Sequence, residues 1–479
     1  MKRNVLLSLI FGFILGILVI IIPEYSILIM LGIVYIFFMI FNPIIGISGY
    51  ILCFILPQGT YIGQVIFLLA SIFWVIKIFS NPNSQKTLVK SPLNWLILGI
   101  FFFALLPILF REEVFEVYLE NPKEFFLFIA YSFSTIFIMN IIDSRKKINF
   151  ISWSLVLFGF LQGIISVIEI YLPNLPFAPL NIAPDLKEAV ERQDIGIMTD
   201  PVFGSGKTRS VGYIGDGPTV GFHMLSAFFL CIAMSSYEKS KAKKLFLLIT
   251  GLLISFGILA TLSRIVIGAF ILACGYFCCK KKISLSKLGI VGLIILVLVL
   301  INIENIKFRI LQTIEQDSSG FIESIGIKQE IAEIKRFIAH PLVGTGLGRV
   351  NEFEGISPYL EEHEFFLSPT DELITERTAF FIRSFFPSIS AQLGIGGLLC
   401  ILLILYYTWK GLNQAELYSK DKGNPEFLNL SIAIKAILVG ELICFIITGN
   451  PTNKMFWFIV GLAGAINVIA KKNQLELSK

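Results

Sequence analysis

The sequence is divided into long apolar blocks. Most of them run for about 17–22 residues, the length that a helix needs to cross a hydrocarbon core roughly 30 Å thick. Hydrophobic residues make up 55% of the 479 residues and charged residues only 15%, a composition that excludes an ordinary soluble domain. The blocks therefore predict an all-α polytopic membrane protein.

Fourteen blocks qualify as candidate transmembrane helices, although the third is short. We expect spans near 5–23, 26–42, 44–56, 62–79, 93–110, 125–142, 149–171, 218–236, 244–261, 264–279, 286–303, 388–408, 430–448 and 453–470. The first block follows MKRN, as in a signal peptide. Because no A-x-A-like cleavage pattern precedes the second block, we interpret the first as a membrane anchor.

The positions of lysine and arginine predict the orientation. When alternate loops are assigned to opposite sides, one set contains the lysine-rich segments DSRKK, YEKSKAKK and KKKISLSK. The other set contains an acidic loop at 111–124 and two longer loops at 172–217 and 304–387. Because positively charged loops stay in the cytoplasm, both termini are predicted to be cytoplasmic and the long loops external. The net charge of +5 then reflects topology and predicts no nucleic-acid binding.

This topology divides the chain into five parts. They are N-terminal transmembrane helices (1–171), an external loop (172–217), central transmembrane helices (218–303), a large external loop that forms a cap (304–387), and C-terminal helices with a cytoplasmic tail (388–479). The cap is expected to be partly helical, because apolar residues recur at helical spacing from Ile331 to Ile338. Such a helix would lie on the membrane or over a cavity.

One arginine lies in the predicted turn between two central spans. Arg264 occurs in the stretch LATLSRIVIGAF, and the predicted topology places it at the outer membrane boundary. A helix-end arginine that reaches lipid head groups is the common explanation. Lysines are otherwise concentrated on the cytoplasmic side, so an external arginine in so short a turn favours a specific role.

A glycine-rich turn precedes the central helices. Arg209 stands ahead of GYIGDGP, which contains Asp216 and leads into the next predicted helix. Free backbone N–H groups at such a helix start suit a phosphate. The same residues are equally well explained as a simple helix-start signal.

Four segments, in this order, resemble those of the O-antigen ligases and the O-antigen or capsule polymerases. They are RSVGYIGDGPTVGFHMLSAFFL, TLSRIVIGAF, FIAHPLVGTGLGRV and RSFFPSISAQLGIGGLLCILLIL. They look like that family's glycine-rich entry into a central helix, its Ser-Arg turn, its helix followed by Pro-x-x-Gly-x-Gly-x-Gly, and its return to the membrane after the large loop. The resemblance covers about residues 205–410, and the N-terminal half is similar only in being polytopic.

The resemblance implies a transferase acting on glycans linked through diphosphate to a polyprenyl lipid. Breaking the sugar–phosphate bond leaves negative charge on the lipid diphosphate, and arginine grips phosphate oxygens in a bidentate fork. The implied catalytic cations are Arg264, Arg209 and Arg383, with Lys328 and Arg336 as substrate-binding residues. No metal or other cofactor is implied. All seven cysteines fall inside predicted spans, which argues against an external disulfide framework.

The base that takes a proton from the acceptor hydroxyl is not assigned by the resemblance. Family members commonly carry a His-Asn pair shortly before the re-entering segment, whereas this chain has Arg383-Ser384 there. His363 is the substitute, and Asp216 or Glu362 could serve instead. For each acid, a solvated loop charge is the simpler explanation.

Three polar residues lie within predicted spans. His223, Lys435 and Glu441 interrupt apolar blocks, and polar groups at membrane depth usually face the interior of a helix bundle. They either line a lipid or sugar cavity, with His223 as a substrate-binding residue, or make structural hydrogen bonds between helices.

Two classes of function follow from these features. The first is a glycosyltransferase in the cytoplasmic (inner) membrane with its active site on the external or periplasmic face, either polymerising repeat units or ligating finished glycan to a lipid or protein acceptor. The second is a lipid-linked oligosaccharide flippase, which would need internal repeats that the sequence does not show. The expected partners are the polyprenyl-diphosphate-linked donor, a glycan acceptor, membrane lipid, and a chain-length regulator and flippase. The polymerase is preferred by family analogy.

Overall fold

The computed structural model describes residues 35, 39, 42–53, 59–80, 89–110, 123–172, 217–261, 263–281, 331, 333–347, 385–447 and 453–477. These residues form twelve helices and, within the described ranges, no strand. The helices are α1 (Pro43–Cys53), α2 (Gly59–Ser80), α3 (Pro92–Phe110), α4 (Lys123–Ile141), α5 (Arg145–Tyr171), α6 (Gly217–Tyr237), α7 (Lys241–Ala260), α8 (Arg264–Lys281), α9 (333–339, with Ile331 also helical), α10 (Phe385–Asp421), α11 (Pro425–Ile447) and α12 (Lys454–Leu477).

Seven helices are long and apolar enough to cross a membrane. They are α3, α5, α7 and α10 and most of α6, α11 and α12, whereas the apolar parts of α1, α2 and α4 are shorter. The chain is therefore an all-helical, multi-pass membrane protein. The described residues do not support the predicted count of fourteen spans. The predicted spans 5–23 and 286–303, and all but three residues of 26–42, lie outside the described part of the chain.

Small residues allow the central helices to approach one another closely. α6 packs against α5, α7 and α11, and α11 also packs against α8. A Cβ atom on Gly163 of α5 would come within 2.9 Å of the Leu253 backbone of α7. Close backbone approach of this kind is how transmembrane helices gain van der Waals packing without a hydrophobic driving force.

The starts of α6, α8, α10 and α12 meet at one end of the bundle. Gly221 near the start of α6 packs on Val266 near the start of α8. The ring of Phe385, the first residue of α10, stacks at 4.3 Å on Phe445 near the end of α11 and lies 5.6 Å from Phe456 near the start of α12. We call this end of the bundle, where α5, α7 and α11 end, the cap end.

Buried ion pairs connect α11 to its neighbours away from the cap end. The Nζ atom of Lys435, which is fully buried, lies 2.6 Å from Glu416 Oε1 of α10 and 5.5 Å from the ring centre of Trp409. Glu426 at the start of α11 pairs with Arg145 at the start of α5. Of the two interpretations of Lys435, these contacts support the structural one.

Candidate functional site

α10 is interrupted close to its start by a glycine. Gly394 has φ 67° and ψ −171°, values that no α-helical residue adopts. In a continuous helix the N–H of Ile395 would donate to the carbonyl of Ala391. The kink breaks this pairing, and at membrane depth such freed backbone groups need partners from elsewhere in the protein.

The segment that follows α9 supplies those partners. Three backbone hydrogen bonds connect it to the kink: Thr345 N–H to Ala391 O (2.9 Å), Gly346 N–H to Gln392 O (3.0 Å) and Ile395 N–H to Pro341 O (2.8 Å). We call this contact between 341–347 and the kink the junction. Two of the four segments quoted for the family resemblance are therefore in direct backbone contact.

Glycine is required on both sides of the junction. Gly344 has φ 76°, and a Cβ atom there would lie 2.3 Å from the carbonyl oxygen of Gln392. On the other side, a Cβ atom on Gly394 would lie 2.4 Å from the carbonyl oxygen of Leu342. The two backbones can pass this closely only because neither residue carries a side chain.

Arg336 connects α9 to the junction. Its guanidinium is fully buried, with Nη1 3.3 Å from Glu333 Oε2 and Nη2 donating to Thr345 Oγ1. Thr345 Oγ1 in turn donates to the carbonyl of Ala391 at 3.2 Å. The residue predicted to bind substrate is thus engaged in a buried ion pair that positions the segment. Substrate contact by Arg336 stays a prediction.

Arg264 begins α8 directly after a buried turn. Thr261 and Ser263, which precede it, are 0% and 7% exposed. Thr261 Oγ1 accepts from the Ser263 N–H at 3.3 Å, and the Ser263 carbonyl accepts from the Ile267 N–H at 3.0 Å. The side chain of Arg264 lies outside what the structure describes. A guanidinium that starts from a turn packed inside the protein favours a partner there over lipid head groups.

His223 lies at the cap end inside the bundle. It is buried in α6, and its ring makes an edge contact at 5.9 Å with Phe158 of α5. Lys454, the first residue of α12, is near enough for its charge to act on the imidazole. The polar residue that the sequence predicts for the bundle interior is therefore accompanied by a cation from another helix.

Two further buried polar side chains lie near this level of the bundle. Because Gly440 of α11 packs on Leu225 of α6, Glu441 and His223 lie at similar depth on adjacent antiparallel helices. Neither oxygen of the Glu441 carboxyl has a hydrogen-bond partner among the described residues, and the same holds for the amide of Gln162, which is fully buried in α5. A buried polar group without a partner costs about 1–3 kcal/mol. Such groups are typical of sites that receive a ligand.

The remaining predicted site residues lie outside the described part of the chain. They are Arg209, Asp216, Lys328, His363 and Arg383. The structure brings Arg336, His223 and the turn before Arg264 to the cap end. Sequence reasoning missed Gln162 and Lys454, although polar residues within apolar spans 149–171 and 453–470 are the signal that would have indicated them.

The candidate site is thus a polar region at the cap end, bordered by the junction and by the starts of α6, α8 and α12. Within the described ranges, no three His, Cys, Asp or Glu side chains are grouped as a metal site requires. No protein-family model matches the sequence, and no curated protein matches it significantly.

Proposed function

We propose that this chain is a membrane glycosyltransferase that polymerises polyprenyl-diphosphate-linked oligosaccharide repeat units at the external membrane face. One observation carries the proposal: the four segments that resemble the polymerase and ligase family converge at the cap end. Two of them form the junction, and the other two pack together where Gly221 meets Val266. Segments spread over 200 residues of a chain converge in this way where they build one site.

The chemistry of the proposed reaction explains the cations at this end. Transfer leaves charge on the lipid diphosphate, and fixed donors aimed at that charge stabilise the transition state. Arg264 begins α8 at the cap end, and Arg383 precedes the first residue of α10 by two positions. With Arg209, ahead of α6, they form the proposed diphosphate site. The proposal uses no metal or other cofactor.

The acceptor needs a polar pocket and a base. His223 and Glu441 are the described groups that suit the pocket, since both are buried at one depth near the cap end. His363 is the proposed base, with Asp216 and Glu362 as alternatives. The donor and acceptor glycans, membrane lipid, a chain-length regulator and a flippase are the proposed partners.

The proposed location is the cytoplasmic membrane with fourteen spans and both termini in the cytoplasm. We expect a Ser357→Cys variant to react with a membrane-impermeant thiol reagent added to intact cells, because 304–387 is predicted to be external. The unsubstituted protein, whose seven cysteines fall in predicted spans, is the control for background labelling. Labelling only after lysis would reverse the topology.

Deleting the gene distinguishes the polymerase from the two alternatives. A polymerase defect leaves single repeat units on the cell surface, and the plasmid-borne gene restores long chains. A ligase defect would leave full-length polymer on the lipid carrier, whereas a flippase defect would leave lipid-linked repeat units on the cytoplasmic side. Either of these two outcomes, or an unchanged surface glycan, contradicts the proposal.

A further inference from the structure

α9 has its polar side turned inward and its apolar side turned outward. Arg336 and Glu333 are buried, as described above. Four apolar residues on or beside the helix are exposed, which we call the apolar row: Ile331 (44%), Ile334 (48%), Ile338 (69%) and Leu342 (72%). A helix that covers a protein in water shows the opposite arrangement, with its apolar side against the core.

The junction fixes the place of this row relative to the membrane. Leu342 follows Pro341, whose carbonyl accepts from the N–H of Ile395 at 2.8 Å. Ile395 begins the main part of α10, a helix long and apolar enough to cross the membrane. The apolar row is therefore held at the membrane boundary by backbone hydrogen bonds to a spanning helix.

The apolar row continues the lipid-facing side of α10. Exposed apolar residues recur along α10 below the junction, namely Ile395, Leu399, Leu402 and Leu403. α3 packs beside α10 and exposes Leu109 and Phe110 at its end. An apolar surface that joins the side faces of spanning helices meets the solvent that those faces meet, which is hydrocarbon.

We propose that α9 is an interfacial helix whose apolar row inserts into the hydrocarbon of the bilayer, while the Glu333–Arg336 pair holds it to the protein. Apolar faces of interfacial helices enter the membrane by about 5–10 Å. Lys335 is exposed at the edge of the row, where its ammonium reaches the head groups while its stem lies on the apolar surface. This inference does not depend on which reaction the chain catalyses.

Spin labels on single introduced cysteines test the proposal in the full-length protein, in a background whose seven native cysteines are replaced. The protein is reconstituted into phosphatidylethanolamine–phosphatidylglycerol vesicles. Collision with oxygen, which partitions into hydrocarbon, is compared with collision with a water-soluble nickel chelate. We expect labels at Ile334 and Ile338 to collide mainly with oxygen. A label at Lys335, on the same helix, is the matched control and should collide more with the nickel chelate.

Each other occupant of the row gives a different result, and each overturns the proposal. Labels that collide mainly with nickel at all three positions would place the row in water. Labels at Ile334 and Ile338 that collide with neither reagent would place them under another segment of this chain. Spectral broadening that disappears on dilution with unlabelled protein would place a second copy there. The melting temperature of each variant before labelling verifies that the fold is retained.

Discussion

Replacing Arg264 with lysine is expected to lower the rate of glycan transfer by about two to three orders of magnitude. That is the loss seen when one donor to a developing oxyanion is removed. Lysine keeps the charge but loses the planar fork that binds two phosphate oxygens. A residue that only anchors the end of α8 in head groups would tolerate lysine, because both side chains reach the interface. The readouts are the transfer rate in membranes with a lipid-linked donor and the chain length of the surface polysaccharide.

Arg145→Lys is the matched control for this substitution. Arg145 begins α5 as Arg264 begins α8, but it lies at the opposite end of the bundle, where it pairs with Glu426. Lysine can retain that ion pair, so transfer should stay near the wild-type rate. Arg264→Ala should be at least as defective as Arg264→Lys, at unchanged membrane levels. Normal polymer from both Arg264 variants would leave this arginine as an anchor.

The transmembrane helices could be predicted from the sequence because length and apolarity determine them. The blocks at 93–110, 149–171 and 244–261 coincide with α3, α5 and α7 to within a few residues. Their burial in lipid or protein requires no particular partner, so a local pattern is sufficient. The helix at α9 was also predicted, since its spacing is local. Its direction was not, because the period of a pattern does not tell whether water, lipid or protein faces the apolar side.

The junction could not be predicted, because its contacts are between backbones. The glycines of PLVGTGLG indicate the end of a helix, and those of QLGIGG indicate close packing, but neither segment identifies the other. Backbone donors and acceptors are the same at every residue, so a pairing across about fifty positions leaves no side-chain signature. The partner of Lys435 was hidden for a related reason, since pairing with Glu416 depends on the register of α10 against α11.

Alanine at Gly344 or Gly394 should open the junction. Each substitution forces a left-handed conformation that costs about 1–2 kcal/mol and pushes a Cβ atom into a backbone carbonyl. The hydrogen bonds lost with the contact add about 1 kcal/mol each. We therefore expect the Thr345 and Gly346 amides to exchange with deuterium about two orders of magnitude faster than in the wild type, at 1.4 kcal/mol for each tenfold change. Mass spectrometry of the 341–347 peptide measures this rate.

Two other glycines separate strain from crowding. Gly423 has φ 61° but nothing within 4 Å of a built Cβ atom, so Gly423→Ala carries strain alone. Gly268 is helical and equally uncrowded, so Gly268→Ala should be neutral or stabilise α8 by up to about 1 kcal/mol. Neither control should change exchange in the 341–347 peptide. Wild-type exchange there in both Gly344→Ala and Gly394→Ala would contradict the requirement for glycine.

The double variant decides whether the two glycines serve one contact. Once either alanine has separated 341–347 from the kink, the second Cβ atom meets no carbonyl. Gly344→Ala combined with Gly394→Ala should then cost little more than the larger single effect, beyond about 1–2 kcal/mol for the second left-handed alanine. Exchange and melting temperature measured on all four proteins of the cycle give the coupling. Fully additive losses would mean that the glycines act independently and that the junction is not a cooperative unit.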